Sequence, residues 1–250
     1  MQILGVPTAD GSPFLPWIEA IFAGFFGGDP APAGKAIGAI YRYFDAIVSD
    51  REAEPRDPAT DFVSYLLQGR IGDGAVPRPE ILTVCLTLTL AGLDTTRAQL
   101  GYMFWHLANH EADRRELIEH PALIGGAVEE FLRLYGIILT AGRRVVKDID
   151  FHGVAMRAGD VVWLGLLTAN RDPERFFEPE RYVVDRQPNP HLAFAGGAHR
   201  CLGAHLARAE LAVALQEWHR RIPDYRLVQD VALEERGGQL TLRHLPLRWD

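Results

Sequence analysis

The chain has 250 residues, enough for one large domain or two small ones, and its 48% hydrophobic content can supply a real core. A formal net charge of −7 with no basic block argues against a nucleic-acid partner. Two cysteines in dissimilar settings, Cys85 and Cys201, argue against a disulfide framework and suit a reducing cytoplasm.

Met1-Gln-Ile-Leu-Gly5 lacks the basic start and cleavage site of a signal peptide. Residues 1–72 read as helices and polar connectors. Pro13 to Phe26 is rich in aromatics (Phe14, Trp17, Phe22, Phe25, Phe26), and Ala33 to Ser49 repeats Ile37, Ile40, Tyr41, Phe44, Ile47 and Val48 at helical spacing. Asp57 to Leu67 is expected to form a short helix with Asp57 as N-cap and Pro58 in the first turn. Ordinary packing accounts for most of the aromatics, with Phe14, Trp17 and Phe22 as candidates to roof a substrate pocket.

Residues 79–110, Pro79 to His110, form the longest helical candidate, apolar almost all round from Ile81 to Leu90 and so expected to be buried, with Cys85 as a small core residue. Its apolar stretch, Ile81 to Leu93, is too short to span a bilayer, and no membrane partner is expected. Ala91-Gly92-Leu93-Asp94-Thr95-Thr96 then breaks the apolar run. An acid beside two threonines is costly in such a helix. Either the helix kinks there around a capped carboxylate, or Asp94 collects protons that Thr95 holds in a relay.

Glu111 to His120 reads as a charged surface helix. Residues 122–135 form a helix whose Glu130 and Arg133 share a face at i, i+3. Residues 137–193 change texture: short β-branched or aromatic runs at Arg143–Val146, Ile149–Phe151 and Val161–Leu164, a short helix at Leu166–Asn170, and a proline- and charge-rich meander through Tyr182.

Residues 194–221 carry the most informative stretch, Phe194-Ala-Gly-Gly-Ala-His-Arg-Cys-Leu-Gly203, followed at once by the helical run from Ala204 to Leu215. Cys201 sits at a helix N-terminus, where unpaired N–H groups favour an anion and a thiolate, the metal-ligating form of the side chain. Gly196 and Gly197 let the backbone curl around the sulfur, and Phe194 can cover the loop. A buried structural cysteine is the commoner use of a lone cysteine. Zinc held by Cys201, His199 or His205 would normally want four ligands, and no second Cys/His pair at suitable spacing to these residues appears. Residues 222–250 read as closing strands, Ile222–Leu227 and Leu240–Leu245.

Phe-x-x-Gly-x-His-x-Cys-x-Gly, met by Phe194, Gly197, His199, Cys201 and Gly203, resembles the haem-ligand loop of the cytochrome P450 family, with Ala195 standing where the family usually has glycine. Ala91 to Thr96 is similar to that family's oxygen-activation groove, and Glu130 with Arg133 to its Glu-x-x-Arg element. The resemblance runs in register along residues 1–250, and the tail Leu245-Pro-Leu-Arg-Trp249 is similar to bacterial members, particularly the camphor-hydroxylating type. It implies a mainly α fold with small β-sheets: a single, N-terminally incomplete P450 domain, in which the family's early sheet, substrate-gating loop and proximal crossing helix have no counterpart and apolar faces stay uncovered.

The resemblance also implies the site. Haem b would be ligated by the Cys201 thiolate. Phe194, Gly196, Gly197 and Gly203 would shape the proximal loop, and Ala91 and Gly92 would face the other side of the cofactor. Arg143, or the adjacent Arg144, and His199 would pair with haem propionates. Asp94 and Thr95 would deliver protons to bound oxygen. Glu130, Arg133 and a third arginine, Arg181, would form a buried structural triad, and Leu90, Ile138, Leu139 and Thr140 could line the pocket. The expected reaction is cytoplasmic hydroxylation of a small apolar molecule, such as a terpenoid, with O₂ and two electrons. No nicotinamide or flavin fingerprint occurs, so a ferredoxin or flavoprotein donor would supply the electrons, docking near Arg200 and Arg208. The rival expectations are a truncated, non-catalytic haem-binding or haem-free relic and a peroxide-driven oxygenase.

Overall fold

The computed structural model describes residues 2–7, 11–25, 27–236, 238–242 and 244–249. Phe26 and Arg243, expected in the aromatic helix and in a closing strand, lie outside the described residues. The chain's contacts gather into two compact units, Met1–Asp94 and Thr95–Asp250. The boundary falls on Asp94 and Thr95, the polar break in the longest helix.

The first unit holds α1 (Phe14–Phe25), α2 (Pro30–Ala53), α3 (Phe62–Gln68), a two-residue hairpin of β1 (Arg70–Ile71) and β2 (Gly74–Ala75), and the beginning of α4 (Arg78–Asn109). Helix α2 buries Ala36, Ile40, Phe44 and Val48, a strict i, i+4 stripe. Asp29 caps it by accepting the Ala31 N–H at 2.9 Å. A Cβ added to Gly24 of α1 would lie 2.6 Å from the Ala33 Cβ of α2, so this small pair sets how closely the two helices approach. Phe14 is fully buried, edge-on to Trp17, Tyr43 and Phe44, and is therefore a core residue rather than a pocket roof. Trp17 and Phe22 are partly buried against the same core.

Helix α3 starts later than the sequence suggests. Asp57 caps only a tight turn, accepting the Ala59 N–H, whereas Asp61 is the N-cap and accepts the Ser64 N–H at 2.8 Å. The Asp61 carboxylate also takes the buried Arg51 guanidinium at 3.0 Å. Hydrogen bonds from Ser64 and the Arg51 charge outweigh burial and hold the Asp61 carboxyl below its ordinary range.

Helix α4 runs unbroken as α-helix from Arg78 to Asn109. Thr83, Thr87 and Thr89 donate back to the carbonyls of Pro79, Thr83 and Cys85 at 2.8–2.9 Å, which gives their hydroxyls partners within the helix. By length and composition alone α4 could cross a membrane, contrary to the reading of its shorter apolar stretch. Ile81 and Cys85 pack instead into the first unit's core, and Met103 and Leu107 into a second. Burial pushes the Cys85 thiol up to about 11, as befits an inert core residue.

The second unit continues with α5 (Glu111–Glu119), a 3₁₀ turn at Pro121–Leu123, α6 (Ile124–Leu134), α7 (Leu166–Ala169) and α8 (Ala204–Arg221). Phe131 of α6, Leu211 and Leu215 of α8, and Tyr225 build its core. The strands form antiparallel two-stranded ribbons: β3 (Thr140–Arg144) with β6 (Val161–Gly165), β4 (Ile149–Phe151) with β5 (Val154–Met156), β7 (Tyr225–Leu227) with β10 (Leu247–Trp249), and β8 (Glu234–Arg236) with β9 (Gln239–Thr241). Phe151, Val154, Val161 and Trp163 on these ribbons are exposed. The mainly α architecture with small sheets agrees with the sequence reading.

Candidate functional site

The loop before α8 is closed by its own backbone. The Cys201 N–H donates to the Phe194 carbonyl at 2.9 Å, the Ala195 N–H to the Leu192 carbonyl at 2.8 Å, and Gly197–His199 winds into a 3₁₀ turn. Gly197 has φ +68°, which glycine adopts freely, and Ala195 has φ +52°, which an alanine adopts at a cost. Helix α8 begins at Ala204 behind Gly203, with no side-chain cap on its first N–H groups. Cys201 is an exposed free thiol. A Cβ added at Gly196, Gly197 or Gly203 would meet nothing within 4 Å. The loop therefore presents a sulfur with open space at the three glycines around it.

Side chains brace this loop from behind. Arg208 of α8 stacks on the Phe194 ring, 4.6 Å from its centroid, and binds Glu129 of α6 at 2.6 and 2.9 Å. Glu129 also accepts from His191 Nε2 at 3.0 Å. The Ala193 N–H donates to His191 Nδ1 at 3.2 Å, which fixes the proton on Nε2. The Leu192 N–H donates to Asn170 Oδ1 at 2.6 Å. The Glu129 hydrogen bond raises the Arg208 pKa against the pull of burial, and the Glu129 and Cys201 charges act in the same direction. Arg208, expected from sequence near a donor's docking surface, is thus a partly exposed brace paired with Glu129, with one end near the sulfur. Arg200 is exposed.

Glu130 and Arg133 are both completely buried and joined by two 2.8 Å hydrogen bonds. Their third partner is Arg186, not Arg181. Arg186 Nε lies 3.0 and 3.1 Å from the Glu130 oxygens. The Arg181 side chain is 69% exposed and pairs with Glu178, and only its carbonyl faces inward, accepting from Arg133 at 3.0 Å. The Val183 N–H and Asn189 Nδ2 complete the shell around the Glu130 carboxylate at 3.0 and 3.1 Å. Arg133 meanwhile donates to the carbonyls of Asn170 and Pro179. A Cβ on Gly126 would lie 2.5 Å from the Val184 carbonyl oxygen, so glycine lets the meander press this close to α6.

Arg143 and Arg144 are both exposed in β3, on opposite faces of the strand, so only one of them can address a given site. Arg143 donates to the Gly142 carbonyl and Arg144 to the Gly159 carbonyl. His199 is exposed. Asp94 and Thr95 are half-buried in the middle of α4, while Ala91 and Gly92 are exposed, with open space around Gly92. Leu90 packs at the edge of the first unit's core. Ile138 packs with Ala98 and Tyr102, and Leu139 and Thr140 are half-buried. Glu129, His191, Asn170, Arg186 and Asn189 were not singled out from sequence. The neighbouring acids Glu129 and Glu130, on a helix otherwise lined with buried apolar residues, are the signal that could have exposed the first.

These residues suit an iron porphyrin: an exposed sulfur, glycines that leave open space around it, and cationic or hydrogen-bonding side chains (Arg143, His199) not tied to a carboxylate among the described residues. The family profile described as Cytochrome P450 matches residues 18–120 and 116–220. Curated relatives include a probable cytochrome P450 127A1 of Sinorhizobium fredii, 32% identical over the whole chain and 58% of the relative. Another is the mycinamicin IV hydroxylase/epoxidase of Micromonospora griseorubida, 36% identical over 99% of the chain and 63% of the relative. The chain thus spans about three fifths of the length of these relatives. Among solved structures, CYP109E1 of Bacillus megaterium in complex with testosterone superposes with TM-score 0.90 at 30% identity, covering 99% of this chain and 68% of that one. P450BioI, solved with an acyl carrier protein bearing hexadec-9Z-enoic acid, matches with TM-score 0.90 at 32% identity, covering 99% and 64%.

Proposed function

Because the chain belongs to the cytochrome P450 family, we propose that it forms the haem-binding C-terminal part of a monooxygenase that hydroxylates an apolar organic substrate. The observation that carries this reading is the Cys201 loop: an exposed sulfur on an open, glycine-lined surface, braced from behind by Phe194, Arg208 and Glu129. Bound haem would supply the dioxygen chemistry, with its electrons drawn from a separate ferredoxin or flavoprotein.

The chain's own residues would do the rest. Cys201 would ligate the iron, and the Arg208 guanidinium on the loop's inner side would moderate the charge of that thiolate. His199 and either Arg143 or Arg144 would bind the propionates. Asp94 would collect protons from water, and the Thr95 hydroxyl would hold them on the distal side. Apolar Ile138 and Leu139 would face substrate without hydrogen-bonding it, which fits relatives solved with a steroid and with a fatty-acyl group.

Reduced-plus-carbon-monoxide spectroscopy on the purified chain, reconstituted with hemin, tests the reading. A strongly red-shifted Soret band in the wild type, absent in Cys201→Ser, is the expected result. A colourless wild-type chain, or an identical band in the variant, overturns it.

A further inference from the structure

We propose that His106, His110 and Asp113, at the corner where α4 passes into α5, form a binding site for one divalent transition metal of the zinc type. Their donor atoms all lie within 4.8 Å of one another. His106 and His110 are one helical turn apart, with rings stacked at 4.1 Å and 14°, an arrangement from which one ring must tilt for both in-plane lone pairs to reach one ion. Asp113 Oδ2 lies 2.8 Å from His106 Nε2.

The outer contacts leave the right atoms for a metal. His110 Nδ1 is 2.9 Å from the His106 carbonyl, which only accepts, so Nδ1 carries the proton and Nε2 the lone pair. His106 Nδ1 is 2.7 Å from the Tyr135 hydroxyl, which can donate or accept. When a metal takes His106 Nε2, the ring proton moves to Nδ1 and Tyr135 turns from donor to acceptor. The ring stays neutral and both nitrogens stay partnered. This is the outer-sphere arrangement that orients metal-binding imidazoles.

Local capping chemistry has been given up to bring these groups together. His110 is the N-cap of α5 yet makes no side-chain cap hydrogen bond. Asp113, third residue of α5, sits where a side chain commonly reaches back to the N-cap N–H. That N–H is already taken by the His106 carbonyl at 2.9 Å, and the carboxylate goes to His106 instead. Two neutral imidazoles and one carboxylate suit zinc, nickel or cobalt far better than magnesium, and three protein ligands leave a position for water. His106 is buried and His110 exposed, so the ion would enter from solvent. Its effect would be to pin α5 to the end of α4.

The test uses the Cys201→Ser chain, which keeps the loop thiolate out of the measurement and makes the result independent of haem. Zinc is titrated calorimetrically, and the thermal midpoint is followed with zinc and with magnesium. One zinc per chain is expected, with a midpoint raised by zinc and not by magnesium. His110→Ala, at an exposed position, and Asp113→Asn should each weaken zinc binding at least tenfold and abolish the shift. Equal zinc affinity with and without His110→Ala, an equal response to magnesium, or no zinc uptake overturns the proposal.

Discussion

Ala195 is the residue at which the chain departs from the glycine its loop favours, and the structure shows the cost. Its φ of +52° places a Cβ in the left-handed region, a penalty of about 1–2 kcal/mol for an L-residue. Glycine there would remove the penalty but lose about 0.5–1 kcal/mol more backbone entropy on folding. Ala195→Gly is therefore expected to stabilise by about 0.5–1 kcal/mol, read as a small rise in thermal midpoint. A lower midpoint would show that the methyl group makes a favourable contact. The sequence located this departure but not the backbone angle, because φ at a single loop position has no periodic signature.

At the scale of elements, helices α2, α4, α6 and α8 were legible because their apolar residues recur at helical spacing over many turns. The start of α3 was not, since Asp57 and Asp61 are equally good caps in isolation and only the Arg51 partner singles out Asp61. The choice between Arg181 and Arg186 failed for a related reason. The meander has no repeating period, so nothing in the sequence says which arginine turns inward. The two side chains now predict very different costs. Arg186→Ala leaves the Glu130 carboxylate buried with one charge partner fewer and should destabilise by about 3–5 kcal/mol. Arg181→Ala removes an exposed pair and should cost under about 1 kcal/mol. Chemical denaturation of the two variants compares them directly, and equal losses would contradict the assignment.

Acid bears on the whole molecule through groups that fold either uncharged or ion-paired. Burial, reinforced by the Arg114 charge, pushes the His219 imidazole down from 6.5 to about 4. Between those values the unfolded chain takes up a proton that the folded chain refuses, so stability falls as pH falls, by up to about 1.4 kcal/mol per unit. Burial of Glu129 acts to raise its pKa, but hydrogen bonds from His191 and Arg208 bring it down to about 2. Its contribution is present above pH 4.5 and disappears as pH falls towards 2. The thermal midpoint should therefore decline from pH 6.5 downwards. His219→Gln should remove part of the decline between 6.5 and 4, the rest coming from His106, which burial likewise pushes down to about 4, while leaving the limb below 4 intact; an unchanged upper limb would exclude His219 as a source. None of this was visible in the sequence, where Glu129, His191 and Arg208 are scattered over 80 positions and meet only in the fold.

The shell around Glu130 has one further consequence. Residues 170 to 189 form almost no helix or strand, and surface connections of that kind ordinarily accept added or deleted residues. Here Val183, Arg186 and Asn189 must each arrive at the same two carboxylate oxygens, while the carbonyls of 170, 179 and 181 must reach one guanidinium. The spacing between these positions works as a ruler, so related chains can change the letters of this passage far more easily than they can change its length.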